Sequence, residues 1–505
     1  MSSPFSRLLL VILTSSAVIS YGTKINAQVV PDSSLGSESS IVTPNVTVRD
    51  AIADLIEGGA IRGDNLFQSF SEFNIAEGSR VFFANPDGIN NIFTRVTGGN
   101  TSNILGTLGV DGNANLFLLN PQGILFGANS SLDLRGSFLA TTAESYLFNN
   151  GFAYSALNPA QPPLLTIDIP IGLQFGSSPA PITNQSVFAP NPQTTVGLEV
   201  PTEQTISLIG GDVDLAGGFI TTESGNIEIG AVAPNSRVDL VANARGWQSE
   251  FSGVTTFQDI TLTQAGEIQG GNSGGSNITL TGRNISLGQD LEAVNSVGVE
   301  IADFFTLADL PNLATLPTTS VRVTATNQNN ATPSSVAIAA SETFSIINGG
   351  DIAIDTFGSG DSGTLDINAN TIIFFGGGFA AGTTTGSSGN AGNVNFTANN
   401  LSIQNGGGGI NTNGSGNGGQ IILNIAENVN FRSGGFGADA NGVGNGGLIE
   451  INASNLTLVS SGLGADSNSS GEGGTIDINL ANNLVINDGG IGADSNDTGL
   501  SLIHI

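Results

Sequence analysis

Three aspartates recur in one local context: Gly435-Phe436-Gly437-Ala438-Asp439, Gly462-Leu463-Gly464-Ala465-Asp466 and Gly490-Ile491-Gly492-Ala493-Asp494. Their spacings are 27 and 28 residues. Carboxylates repeated in this way are candidate ligands for a hard, oxygen-seeking cation such as calcium. Calcium-binding strand repeats, however, recur every nine residues with an apolar eighth position, and that position here is Asn441, Asn468 and Asn496. The preceding unit carries Asn413 in place of the aspartate. On successive layers of a stack these carboxylates would stand about 5 Å apart and repel one another. The spacing therefore favours a solvated Asp ladder over a metal site, and no cofactor is expected.

Hydrolase or lyase chemistry needs carboxylates grouped with Arg, Lys or His on one face. From Asp351 onward the chain offers Arg432, no Lys and one His, His504, and its acids stand singly. No catalytic residue is assigned and no enzyme is expected. A polysaccharide-acting enzyme is the alternative, which a grouped acid and Arg on one face would favour. The chain has 42 acidic against 12 basic side chains. Such a surface repels phosphate backbones and excludes nucleic acid as a partner. There is no Cys among 505 residues, in keeping with a chain that crosses an oxidising compartment unfolded and equally compatible with a cytoplasmic one.

The elements that hold these residues are short strands. Helical spacing shows only at Val48 to Gly58, where Ala51, Ile52, Leu55 and Ile56 recur as on one helix face. Elsewhere short apolar alternations are cut by Gly, Asn, Asp and Ser. Gly363, Gly392, Gly419, Gly447 and Gly474 each open a five-residue strand pattern such as Gly474-Thr475-Ile476-Asp477-Ile478, at steps of 29, 27, 28 and 27 residues. A fixed period in this range marks stacked repeats. Each unit holds three segments (Thr475–Asn479, Asn483–Asn487 and Ile491–Ser495 in the last) joined by Gly, Asn and Asp. Three strands and three turns make one triangular coil. Leu365 and Ile367, or Ile476 and Ile478, point inward while the acids between them point out. No coil buries its apolar face alone, so the coils must stack. Residues 204–297 keep this texture less regularly, and Leu310–Ser335, rich in Pro, Thr and Asn, reads as a loop or interruption.

Ahead of the repeats the chain is richer in Phe and holds two copies of one turn, Asn85-Pro86-Asp87-Gly88-Ile89 and Asn120-Pro121-Gln122-Gly123-Ile124. In Asn-Pro-x-Gly, Pro presets the second position and Gly takes a backbone angle that other residues resist. Together with Asn65-Leu66-Phe67-Gln68-Ser69-Phe70-Ser71-Glu72-Phe73, Asn103-Ile104-Leu105-Gly106-Thr107-Leu108 and Phe126-Gly127, residues 28–176 resemble the amino-terminal secretion domain of filamentous-haemagglutinin-like exoproteins. Gln122 departs from the Asn that this family often has there. The resemblance implies export by two-partner secretion. An outer-membrane β-barrel transporter would read Asn85, Pro86, Gly88 and Ile89, or Asn120, Pro121, Gly123 and Ile124, through its transport-associated periplasmic domains. It also implies an adhesin-like role at a cell surface or in the medium, with cell-surface glycans or proteins as candidate ligands. The stalk of a contact-dependent toxin is a further alternative.

The compartment signal agrees. Arg7 precedes the apolar run Leu8-Leu9-Leu10-Val11-Ile12-Leu13, and Ile25-Asn26-Ala27 precedes Gln28, the order of a secretory signal peptide. The expectation is an all-β chain, a right-handed parallel β-helix (solenoid) with an N-terminal β-helical secretion domain. Its divisions would be residues 1–27 as signal peptide, 28–176 as secretion domain, 177–309 as coils, 310–335 as loop and 336–499 as repeats. Residues 500–505, Leu500-Ser501-Leu502-Ile503-His504-Ile505, break the repeat in mid-coil. They match the translation of a transposase-end sequence used in sequencing adapters, and are expected to be an artefact.

Overall fold

A computed structural model describes residues 28–160, 170–271, 273–288, 321–325, 327–328, 332–496 and 501–505. The expected signal peptide and the 310–320 part of the expected loop lie outside these residues.

The chain winds into a parallel β-helix. Its spine is one inward column on the first face: Leu66, Ile92, Leu116, Phe138, Ile206, Ile227, Ile278, Val336, Leu365, Val394, Ile421, Ile449 and Ile476, each the register partner of the next. All are buried in one continuous core, because period-two alternation sends every second side chain to the same side of each strand. In the repeats Thr364, Asn393, Gln420, Leu448 and Thr475 pair in turn, the steps expected from the glycines. The first two segments of a repeat are one bent strand, as in Thr475–Asn487, and the third is Gly490–Gly492. At the corner between them Asn348, Asn405, Ser433, Ser460 and Asp488 all have positive φ, a conformation that short polar side chains tolerate better than most. Leu502–His504 pairs with Thr475–Asp477.

Two expectations are corrected. Ala51–Gly58 is a strand, not a helix: it pairs antiparallel with Ser40–Val48 and parallel with Arg80–Ala84. Its Ala53 and Ile56 are buried while Ile52 is 59% exposed, a division that pairing dictates and a one-turn apolar pattern cannot foresee. Within 310–335, Val321–Thr324 is a third-face strand between Glu267–Gln269 and Gly350–Ala353. Val323 fills the core there, so the stack continues through a stretch whose Pro and Thr suggested a break.

Two additions finish the amino-terminal end. Val29–Pro31, Ser40–Val48 and Ala60–Arg62 pair antiparallel with their neighbours and cap the first coil, with Ser40–Val48 as the terminal strand of its sheet. A five-stranded antiparallel sheet, in the order Ala153–Ser155, Ser145–Phe148, Pro170–Gln174, Arg237–Asn243 and Gly246–Glu250, leaves the coil path. It covers the outward side of the first face, where Phe67, Phe93, Phe117 and Leu139 meet Tyr146, Phe148, Tyr154 and Trp247.

Candidate functional site

The two Asn-Pro turns occupy different corners of the coil. The first leads from Arg80–Ala84 on the third face to Asn91–Val96 on the first. Ile89 N–H donates to Pro86 O (3.1 Å). The Asn85 amide donates to Ile89 O (3.0 Å), and its Oδ1 accepts Ala114 N–H from the next coil (2.9 Å). Pro86, Asp87 and Gly88 are exposed, and Ile89 is buried. Gly88 has open space around it, so its φ of +82° alone calls for glycine.

The second turn leads from Asn115–Leu119 on the first face to Ile124–Phe126 on the second. Here Asn120 is fully buried. Its amide donates to Asn100 O (3.0 Å) and Ser102 Oγ (2.9 Å), and its Oδ1 accepts Gln122 N–H (2.9 Å). Gly123 N–H returns to Asn120 O at 3.1 Å. Pro121, Gly123 and Ile124 are buried too, which leaves Gln122 as the exposed tip. That residue borders a cleft of about 480 Å³ lined also by Pro121, Glu144, Leu157, Ser178 and Pro181. One motif thus yields an exposed turn and a buried corner bolt.

A buried cluster that the sequence did not announce ties this end together. Arg95, fully enclosed, donates from Nε to Ser69 Oγ (3.0 Å), from Nη1 to Ser155 O (3.0 Å) and from Nη2 to Ser34 Oγ (2.7 Å). Its guanidinium stands 4.1 Å from the Tyr154 ring centre. One cation so joins the amino-terminal segment, the first coils and the covering sheet. Burial lowers the Arg95 pKa, against the opposing charges of Tyr154 and Asp32. For Asp32, burial pushes the pKa up, but hydrogen bonds from Ser34, Thr97 and Ser69 outweigh it and the net shift is down. Burial pushes the Tyr154 phenol well above its ordinary range. The one available signal was Arg95 next to Val96 in the short strand pattern Ile92-Phe93-Thr94-Arg95-Val96, where a charge that becomes buried unpaired is costly.

The Asp ladder is built differently from the expectation. Asp466 N–H donates to Asp439 Oδ1 (2.9 Å) and Asp494 N–H to Asp466 Oδ1 (2.7 Å). Each carboxylate thus caps the backbone of the next coil. The preceding member is Asn411, whose Oδ1 accepts Asp439 N–H at 2.9 Å, and not Asn413. Asn413 begins a parallel ladder with Asn441 and Asn468 (3.0 and 2.8 Å); the two lie two residues apart, and only the pairing register separates them. Burial raises the Asp439 pKa, opposed by the Asp466 N–H and reinforced by the Asp466 charge. Among the described residues no group of three or more acidic or His side chains is placed to hold a metal ion.

Comparison with known proteins identifies the class to which this architecture belongs. The TPS secretion domain model matches residues 27–280, half of the chain, and the chain belongs to that family. The match extends well past residue 176, as does the unbroken stacking. A curated relative, the heme/hemopexin-binding protein of Haemophilus influenzae, is 33% identical over 79 residues, which are 16% of this chain and 8% of that protein. Among solved structures, the HMW1 secretion domain of Haemophilus influenzae aligns over 92% of this chain and 99% of its own, at 16% identity and a TM-score of 0.48. A filamentous hemagglutinin secretion domain aligns over 94% and 99%, at 12% identity and a TM-score of 0.21.

Proposed function

We propose that this chain is the secreted member of a two-partner secretion pair. It would cross the periplasm, pass through an outer-membrane β-barrel transporter and act outside as an adhesin-like rod, in the medium or on the cell surface. The observation that carries the reading is the match of residues 27–280 to the TPS secretion domain, a stretch that coincides with the capped and sheet-covered end of the helix. The rest of the rod supports it physically. Each coil contacts only its neighbours, so a chain emerging from a pore can add coils one at a time to a formed end.

Within this reading the transporter's periplasmic domains contact the tip of the second turn. Asn120, Pro121, Gly123 and Ile124 hold the corner, while Gln122 and the adjoining cleft offer the contact surface. Asn85, Pro86, Gly88 and Ile89 shape the other corner, which borders none of the clefts described. A photo-crosslinking residue at position 122, and separately at position 87, tests this during export of the full chain. Crosslinks to the transporter from position 122 and few from 87 are expected. The reverse pattern would move the contact to the first turn, and crosslinks from neither would remove both turns from recognition.

A further inference from the structure

On the first face the outward column runs Phe117, Leu139, Ser207, Glu228, Thr279 and Ala337. The covering sheet ends part-way along it. Where the aromatic contacts stop, the hairpin of Arg237–Asn243 and Gly246–Glu250 overhangs the rod and forms one wall of an open cleft of about 520 Å³. Arg245, Gln248, Asn226, Asn277, Thr279 and Glu228 line it.

Arg245 is held in place at its backbone and at one edge. Its carbonyl accepts Ser137 Oγ and Thr205 Oγ1, each at 2.8 Å. Its N–H donates to Asn243 Oδ1 (2.8 Å). Nη1 donates to Gly275 O (2.7 Å) and Asn226 Oδ1 (3.2 Å). Nε and Nη2 have no acceptor and the guanidinium no carboxylate partner among the described residues. The Gln248 amide and Thr279 hydroxyl that share the cleft are likewise uncommitted there. Glu228, 6% exposed, accepts Ser207 Oγ, Ser249 N–H and Ser249 Oγ, and so holds the floor rather than competing for Arg245.

We propose that this cleft binds an acidic saccharide, with the free edge of Arg245 taking the sugar carboxylate and Gln248 and Thr279 taking its hydroxyls. A fixed guanidinium edge matches a carboxylate in a two-point hydrogen bond. No large aliphatic or aromatic side chain lines the cleft, so a peptide would find no anchor for apolar side chains, whereas a ligand bearing hydroxyls throughout would. The volume suits a few sugar rings. The cleft's single carboxyl, Glu228, is one short of the pair that glycoside hydrolysis uses and is committed to Ser207 and Ser249, so binding alone, without hydrolysis, is proposed. The inference rests on the reading of this chain as an exported surface-binding protein.

Titrating the secreted full chain with trigalacturonate and with neutral maltotriose, at physiological ionic strength, tests it. Trigalacturonate binding with a millimolar-range Kd and no maltotriose binding are expected. Arg245→Gln should weaken trigalacturonate by about tenfold, the loss of a charge-assisted pair. Gln248→Ala, which touches no internal hydrogen bond, should weaken it by about threefold with an unchanged melting curve. Equal binding of both sugars, full affinity in both variants, or no binding by chain that is secreted and folded would overturn the proposal. Since export is scored separately, failure of binding with intact secretion leaves the export reading standing.

Discussion

Asn120 and Asn85 head the same five-residue motif, yet their side chains do unequal work. Asn120→Ala leaves the buried Ser102 Oγ, and Asn100 O and Gln122 N–H of two exposed residues, without their side-chain partner. It should cost about 2–3 kcal/mol, chiefly for the unsatisfied buried Ser102 hydroxyl and the lost turn bond. Asn85→Ala, in a half-exposed turn, should cost about 1 kcal/mol. Denaturant unfolding of the two variants measures the difference; equal costs would mean that the buried Asn120–Ser102 contact adds nothing. Glu228 makes a second prediction. Burial raises its pKa above the ordinary 4.5, partly offset by Ser249 and Ser207. A carboxyl with a raised folded-state pKa binds its proton more tightly in the folded chain, so its contribution to stability falls as pH rises from about 4.5 through the folded value. Glu228→Gln should therefore flatten the decline of stability with pH in that range. Parallel melting curves of wild type and variant from pH 4.5 to 7 would contradict it.

At the scale of elements, the covering sheet carries its own reporter. Trp247 is the only tryptophan in the chain, and its ring lies 4.6 Å from Phe117, which lies 4.5 Å from Phe93. Phe93→Ala should destabilise this layer by about 3–5 kcal/mol and red-shift Trp247 emission well before the rod melts. Emission changes that coincide with loss of strand signal would mean that sheet and rod unfold as one. This layer was hard to read in advance. Leu116-Phe117-Leu118-Leu119 is apolar on both strand faces, the mark of burial on two sides, but nothing local says what covers the outer face. The sheet comes from segments as far apart as Ser145–Phe148 and Gly246–Glu250, and Arg95 draws partners from Ser34, Ser69 and Ser155. The repeats were legible for the opposite reason. In Leu365 to Ile367 and Ile476 to Ile478 each residue's environment is set by its own parity and by its copy one period away. The apolar spacing of Ala51 to Ile56 misled because so short a run fits a helix turn and a strand equally well.

At the scale of the molecule, stacking should make coils interchangeable. Deleting residues 448–474 joins Gly447 to Thr475 and lets Thr475 replace Leu448 as the partner of Gln420. The shortened rod should still unfold cooperatively, about 4.8 Å shorter. Deleting half that length should break the register of every later coil and lose protection from hydrogen exchange there. The central claim, that the capped amino-terminal end commits the rod to a dedicated outer-membrane transporter, is tested most directly by export itself. The full chain would be expressed with and without the outer-membrane protein encoded beside its gene, and its distribution between cells and medium or cell surface measured. The account predicts exported chain only with the partner, and its loss when Asn120 and Pro121 are both changed to Ala. Equal export without the partner would contradict it.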